Sequence, residues 1–235
     1  MARRDKAPVA KNILVDSVLK LEAHYGAPGP PPTTDPFEMI VWENAAYLVD
    51  DTRRRAVFEL LRRKVGIVPE AIARTPPEEL AAVIETGGMR PAMRAEKLKT
   101  AAALALEIGL VTLRETVASS RDEAKRLLKR FPGIGDPGAD KILLFARARR
   151  SLAPDSNGLR VLVRLGLGQE NANYARMYQS AARAVETLLP DDFDWCMRAH
   201  RLMRRHGQEL CKQASPRCEI CPLTRVCVWY RARAG

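Results

Sequence analysis

Two glycines and a carboxylate near the middle of the chain are residues whose types and spacing could form a binding or catalytic site. Gly133 and Gly135 lie in the run Phe-Pro-Gly-Ile-Gly at 131–135, and without a Cβ their backbone can turn tightly against a ligand. Apolar residues at helical spacing follow over 139–146. Backbone N–H groups of a glycine turn at a helix start suit a phosphate. Asp155 comes twenty residues after Gly135. The alternative is an ordinary helical joint with a surface carboxylate, because Gly-x-Gly is a weak signal.

Four cysteines near the C-terminal end form a second candidate centre. Cys211, Cys218, Cys221 and Cys227 have the spacing C-x6-C-x2-C-x5-C, and thiolates this close together can surround one metal centre. The spacing favours an iron–sulfur cluster, since a structural zinc site usually has two short Cys pairs. Zinc, disulfides and buried structural thiols stay open as alternatives. Cys196 lies outside the pattern, and we expect it to pack in a core.

Two polar residues interrupt an apolar helix predicted over 36–48. Glu43 and Asn44 lie among Met, Ile, Val, Trp and Ala side chains. A carboxylate in such a helix is costly to bury unless it is paired or functional. A structural network or a solvent-facing position is the alternative.

A second glycine pair, Gly87-Gly88, precedes a basic helix predicted from about Met93. Arg94 and Lys99 lie near the start of that helix, so the turn also suits a phosphate contact. A plain turn between helices is an equal alternative.

Composition favours a polyanionic partner. The 235 residues carry 39 Lys and Arg against 28 Asp and Glu, a formal net charge of +11, and nucleic acid is a common partner of such chains. No apolar run approaches the roughly 20 residues that span a membrane. The N-terminus has no apolar segment typical of a secretory signal. We therefore expect a cytoplasmic protein, nucleoid-associated if the source is bacterial, with reduced cysteines.

The elements that must position these residues are all predicted to be helices. Apolar residues recur at helical spacing, there is no strand-like alternation, and Pro-rich residues 26–36 predict a linker. Thr75 is predicted to cap a helix that begins with two prolines.

Taken together, the motifs resemble a known family. Residues 206–227, with His-Gly ahead of the four cysteines, look like the 4Fe-4S module of the endonuclease III family. With the glycine hairpin and Asp155, the chain resembles the helix–hairpin–helix DNA glycosylase superfamily over about 36–230. The resemblance implies an all-α fold of two helical domains with a cleft between them. A helical barrel would cover 36–149, and residues 1–35 and 150–235 would form the cluster domain.

The resemblance also implies site residues. A 4Fe-4S cluster would be structural, and Lys212 and Arg217 in its loop would meet DNA phosphates, as would Gly133, Ile134 and Gly135 of the hairpin. Asp155 occupies the position of the family's catalytic aspartate. The Asp-x-Asn-x-x-Arg pattern from Asp155 is similar to that of the adenine and mismatch-thymine glycosylases, and it implies that Asn157 orients Asp155 or a water.

Glu43 matches a glutamate that protonates the leaving base in the adenine enzymes, where an apolar wall would raise its pKa. Bifunctional members carry a lysine two residues after the second hairpin glycine, and here that residue is Pro137. Lys141, one turn later, is expected to be a solvated or phosphate-facing charge that contacts DNA.

Two further positions depart from endonuclease III. Leu48, beside Tyr47, stands where that enzyme carries a glutamine that enters the duplex, and an apolar side chain could fill the gap left by a flipped base. Asp136 adds a negative charge near the expected phosphate site, and it is predicted to cap the following helix.

The sequence therefore predicts a monomeric DNA glycosylase of base-excision repair that acts on double-stranded DNA, is monofunctional and carries a 4Fe-4S cluster. One alternative is a bifunctional glycosylase with lyase activity on oxidised pyrimidines. Another is a non-catalytic DNA-binding protein on the same scaffold.

Overall fold

All regular structure in the described part of the chain is helical. The computed structural model describes residues 12–119 and 121–234. Its α-helices, in chain order, are α1 (Ile13–Tyr25), α2 (Pro36–Ala45), α3 (Asp51–Lys64), α4 (Pro69–Arg74), α5 (Pro77–Val83), α6 (Pro91–Ile108), α7 (Leu110–Ser119), α8 (Arg121–Leu128), α9 (Asp136–Phe145), α10 (Ser156–Arg164), α11 (Tyr174–Glu186), α12 (Phe193–Glu209) and α13 (Val228–Ala234). The prediction of an all-α chain is confirmed.

Side-chain caps explain where several helices begin. Asn12, Asp35 and Asp50 each accept hydrogen bonds from backbone N–H groups at the starts of α1, α2 and α3, which satisfies donors that have no partner inside the helix. The predicted cap at Thr75 is wrong. Thr75 ends α4 and its hydroxyl donates to the Ala71 carbonyl, while α5 begins one residue after Pro76.

The chain divides into two compact units. The hairpin unit comprises Gly29–Asp155 and Asp191–Met197, and the cysteine unit comprises the described residues up to Pro28, Ser156–Pro190 and those from Arg198 onward. The hairpin unit thus extends beyond the predicted 36–149 at both ends. Its linker residues are tied to α3, because Arg55 donates to the Pro30 carbonyl at 3.0 Å.

Helix α2 is the central element of the hairpin unit. Its residues Phe37, Met39, Ile40 and Val41 are at most 2% exposed, and it contacts α3, α6, α7 and α9. Burial on nearly all sides fits the continuous apolar sequence of this helix. The central helix is also the one that carries Glu43 and Asn44.

None of the described helices is both long enough and apolar enough to cross a membrane.

Candidate functional site

The glycine hairpin joins α8 to α9 and exposes its two glycines. Phe131 and Ile134 are 2% and 5% exposed and anchor the turn, which is closed by a hydrogen bond from the Ile134 N–H to the Phe131 carbonyl at 3.2 Å. Gly133 has a φ of 78°, a conformation that favours glycine. The backbone of Gly133 and Gly135 is exposed, while the predicted DNA contact at Ile134 can involve only its backbone.

Asn44 of α2 holds this hairpin in place. Its side-chain amide donates to the Pro132 carbonyl and to the Ile40 carbonyl, each at 3.0 Å. A Cβ on Gly133 would lie 2.7 Å from the Asn44 Oδ1 atom, which is closer than real contacts allow. The sequence marked Asn44 only as a polar residue in an apolar helix. Its role depends on a contact across 88 positions.

Asp136 is not the predicted cap of α9. Gly135 occupies the cap position and gives no side-chain bond, while the Asp136 carboxylate lies in the first turn, 3.0 Å from the Lys129 ammonium and 3.5 Å from that of Lys125. The hydrogen bond from Lys129 lowers the pKa of Asp136. Two lysines therefore offset the negative charge that would oppose a phosphate at the hairpin.

A buried ion pair joins α2 to α9. The Lys141 Nζ atom lies 3.0 Å from both carboxylate oxygens of Glu43, and the Arg54 Nη1 atom lies 4.0 Å from Glu43 Oε1. The side chains of Lys141, Glu43 and Arg54 are only 10%, 16% and 12% exposed.

Both expectations for these residues need correction. Lys141 is not a solvated charge on the helix surface, because α9 is buried on most sides from Ala139 to Phe145. Glu43 does not face a purely apolar wall, because an ammonium group contacts both of its oxygens.

Tyr47 and Leu48 follow α2 on an exposed loop that pairs with the glycine pair at 87–88. The Tyr47 N–H donates to the Gly87 carbonyl at 2.8 Å, and Tyr47 forms an isolated bridge with Gly88. Leu48 is 71% exposed and has a φ of 57°, a backbone conformation that is unfavourable for leucine. Met89, on the paired loop, is 57% exposed.

Buried Arg94 ties these two loops together. Its guanidinium donates to the Gly88 and Met89 carbonyls, each at 2.9 Å, to the Ile84 carbonyl at 3.0 Å, and to the carbonyl of Ala45. Arg94 is 4% exposed, and burial lowers its pKa. The Arg94 guanidinium therefore holds these loops together from inside the unit.

Lys99 donates to the carbonyls of Ala73 and Thr75 at 2.5 and 2.8 Å. Arg94 and Lys99 of α6 therefore both serve the hairpin unit internally.

Asp155 ends a buried segment of the hairpin unit. Leu152 and Ala153 are 1% and 2% exposed, and Ala153 has a φ of 41°, which is strained for a residue with a Cβ. Asp155 itself is half-buried. In the cysteine unit, the Asn157 side-chain oxygen accepts a hydrogen bond from Arg160 at 2.9 Å.

The four cysteines line one cavity within the cysteine unit. The cavity is small, about 20 Å³, and Leu165, Leu210, Leu223 and Tyr230 are among its other walls. Burial raises the pKa of Cys221 to about 11, and it raises the pKa values of Cys218 and Cys227 as well. Thiols in such surroundings ionise when a bound metal supplies positive charge.

Hydrogen-bond donors surround the cysteine sulfurs. The Arg164 Nη1 atom lies 3.2 Å from Cys211 Sγ, and the same guanidinium stacks 4.4 Å from the centre of the Trp229 ring. Buried His206 lies 3.5 Å from Cys221 Sγ through Nε2 and 3.0 Å from the Tyr25 hydroxyl through Nδ1. Burial lowers the pKa of His206 to about 4, so the imidazole is neutral.

The cavity fits a thiolate-bound cluster in its donor set. Four soft sulfur ligands with hydrogen-bond donors around them are typical of iron–sulfur sites. Within residues 12–119 and 121–234, however, no three His, Cys, Asp or Glu side chains converge closely enough to hold a metal ion. Lys212 and Arg217, in the loop between the first two cysteines, are exposed.

Known proteins resemble the chain over most of its length. No protein-family model matches it. Endonuclease III of Thermotoga maritima is 28% identical over 204 residues, which cover 85% of this chain and 86% of that one. A thymine-DNA glycosylase of Aeropyrum pernix is 28% identical over 207 residues, or 84% of each chain. The structure of a trapped endonuclease III–DNA covalent intermediate aligns with a TM-score of 0.71 at 21% identity, covering 97% of this chain and 100% of that one. The chain is thus similar in sequence to endonuclease III and to thymine-DNA glycosylase and shares the fold of endonuclease III, which is consistent with a member of the helix–hairpin–helix DNA glycosylase superfamily.

Proposed function

We propose that the chain is a monofunctional DNA glycosylase of base-excision repair that acts on double-stranded DNA as a monomer. A base inside a duplex is out of reach, so the target nucleotide is turned out of the stack before its N-glycosidic bond is broken. The relatives named endonuclease III and thymine-DNA glycosylase support the glycosylase part of this proposal.

The observation that carries the monofunctional assignment is Pro137 in the first turn of α9. Bifunctional members of the superfamily place a lysine amine there, and proline has no amine to form a Schiff base with the sugar. Asn44 fixes the hairpin that precedes this residue through its hydrogen bond to the Pro132 carbonyl.

Asp155 is the proposed catalytic residue. Breaking the bond between the sugar and the base leaves positive charge on the sugar ring, and a nearby carboxylate stabilises this charge or takes a proton from the attacking water. Asn157 is proposed to orient Asp155 or that water. The backbone at Ala153 is strained. Such strain is common at functional sites, so it supports a functional role for the segment that leads to Asp155.

The exposed loops are proposed to enter the duplex. Leu48 and Tyr47 would fill the space left by the flipped nucleotide, and backbone N–H groups at Gly133 and Gly135 would hold a phosphate. Lys212 and Arg217 would contact other phosphates, which positions the enzyme without reading sequence.

A 4Fe-4S cluster is proposed as the cofactor, with Cys211, Cys218, Cys221 and Cys227 as its ligands. When bound, such a cluster supplies soft cations that cross-link the loop to α12 and α13 and take no part in bond cleavage. Purified protein should contain iron and acid-labile sulfide, and Cys218→Ala should lose both. Protein that holds zinc, or no metal, after anaerobic preparation would refute the cluster.

A single-turnover assay over duplexes with different mismatched or damaged bases tests the activity. We expect release of a free base by the wild type and none by Asp155→Asn, with duplex affinity kept. Borohydride during turnover should trap no covalent adduct. A trapped adduct would support the bifunctional alternative, and no release from any duplex would support the non-catalytic one.

A further inference from the structure

The ion pair between Glu43 and Lys141 has a chemical consequence for the leaving base. Both carboxylate oxygens lie 3.0 Å from the lysine nitrogen, and Arg54 Nη1 approaches one of them at 4.0 Å. One carboxylate therefore faces two cations where little water enters. In such surroundings both carboxylate oxygens act as hydrogen-bond acceptors.

A purine such as adenine leaves as a neutral base only after a ring nitrogen has been protonated, which requires an acid in contact with it. Both oxygens of Glu43 accept hydrogen bonds from Lys141, so neither presents a proton to a base while the pair is formed. The ammonium group of Lys141 is instead a donor, which suits a leaving group that carries negative charge.

Stability alone does not explain the pair. A buried ion pair holds two helices together no better than apolar side chains of similar size, because desolvation offsets the attraction. Helices α2 and α9 already contact each other, and each carries fully buried apolar side chains such as Ile40 and Leu143. The pair also retains partial exposure, at 10% for Lys141 and 16% for Glu43.

We propose that Lys141 is a catalytic residue that stabilises the negative charge of the departing base. This inference rests on the glycosylase activity proposed above. Glu43 acts as a positioning residue that keeps the lysine directed at the base. The base class that fits has a carbonyl oxygen next to the glycosidic nitrogen, as in uracil and its 5-substituted derivatives.

The step balances as follows. The bond between C1′ and N1 breaks heterolytically, and its electron pair stays on the base, spread over N1 and the carbonyl oxygens. An N–H of Lys141 donates to one of these oxygens. Hydroxide from the attacking water bonds to C1′, the water's other proton goes to Asp155, and the released base anion is protonated by solvent.

The test measures single-turnover release of 5-fluorouracil, uracil and thymine from otherwise identical mismatched duplexes. These bases differ in how readily they carry negative charge. Lys141→Met should lower the rate for uracil by about 10²- to 10³-fold, the usual effect of losing one donor to a developing anion. The loss should grow from 5-fluorouracil to thymine.

Two further variants separate chemistry from folding. Lys141→Met leaves the Glu43 carboxylate without its main partner and is expected to be less stable. The double variant Glu43→Gln/Lys141→Met removes both charges and keeps the volumes, so it should fold like the wild type and show the same graded loss. Glu43→Gln alone keeps the lysine. Its rate of base release should be lower than that of the wild type, and the rate should depend on the leaving base as it does in the wild type.

Three results would overturn the role of Lys141 while leaving the glycosylase intact. The first is a double variant that releases the bases at wild-type rates. The second is a Lys141→Met variant that loses the same factor in rate for all three bases. The third is a wild type that releases adenine faster than these bases, at a rate that rises as pH falls. A wild type that releases no base from any duplex would remove the proposed function and this inference with it, and that result appears before any variant is made.

Discussion

Replacing Asn44 by alanine should weaken DNA binding through the hairpin without changing the charge of the protein. The substitution removes the hydrogen bonds to the carbonyls of Pro132 and Ile40. Gly133 then loses the contact that fixes it from the α2 side. The hairpin backbone, which we propose to bind a phosphate, becomes free to sample other conformations.

The magnitude follows from the contacts. Each of the two hydrogen bonds contributes about 0.5–1.5 kcal/mol, so the free energy of unfolding should fall by roughly 1–3 kcal/mol. Reordering about one residue of the hairpin on DNA would cost roughly 1–2 kcal/mol, which lowers duplex affinity by about tenfold. No cation is lost, so the dependence of log K on log salt should keep its slope.

Fluorescence anisotropy with a labelled duplex at several salt concentrations measures the duplex affinity and its salt slope. Urea unfolding measures the free energy of unfolding. Asn12→Ala is the matched control. Asn12 caps α1 through its side-chain oxygen, and its amide donates to the Leu188 carbonyl at 2.7 Å. Its loss should cost about 1 kcal/mol of stability and leave duplex affinity unchanged.

Two outcomes would refute this reasoning. Asn44→Ala protein that is folded and binds duplex as tightly as the wild type would show that the hairpin does not need the clamp. A reduced salt slope would show that cationic side chains, rather than hairpin N–H groups, had been displaced.

Other parts of the hairpin unit give further predictions. Arg94→Met leaves four backbone carbonyls without their donor and should lower the unfolding free energy by about 3–5 kcal/mol in urea. Gly88→Ala would place a Cβ 2.1 Å from a carbonyl oxygen, whereas Gly26→Ala, also at positive φ, meets nothing within 4 Å; the midpoint of thermal unfolding should fall much more for Gly88. The pKa of Asp136 is lowered in the folded protein, so the wild type's stability advantage over Asp136→Asn should be fully present above pH about 3.9 and shrink as pH falls through the folded-state value.

Local sequence signals predicted the elements and the hairpin. Apolar residues at helical spacing predicted an all-helical chain, and Gly133 adopts the backbone conformation that its sequence context suggested. Such signals act within a few residues, so they can be read without knowing the fold.

The partners of the site residues could not be predicted in this way. Lys141 and Glu43 are 98 positions apart, and helical spacing does not say which helix a side chain meets. A signal for Lys141 was nevertheless present. Residues 142–145 of α9 are apolar without interruption, which predicts a helix buried on most sides and hence a lysine with a partner inside the unit.

The large net charge of the chain was also a weak guide to which cations form the DNA-binding surface. Arg94, Lys99 and Lys141 in the hairpin unit, and Arg164 in the cysteine unit, donate to carbonyl, carboxylate or sulfur atoms of their own unit. These cations fix loops, helices and a cysteine, so they cannot each release a counterion from DNA. The salt dependence of binding should therefore reflect exposed cations such as Lys212. Replacing Lys212 by methionine should lower the slope of log K against log salt, whereas replacing Lys99 should leave it unchanged. This difference would separate the exposed cations from those that bind within their own unit.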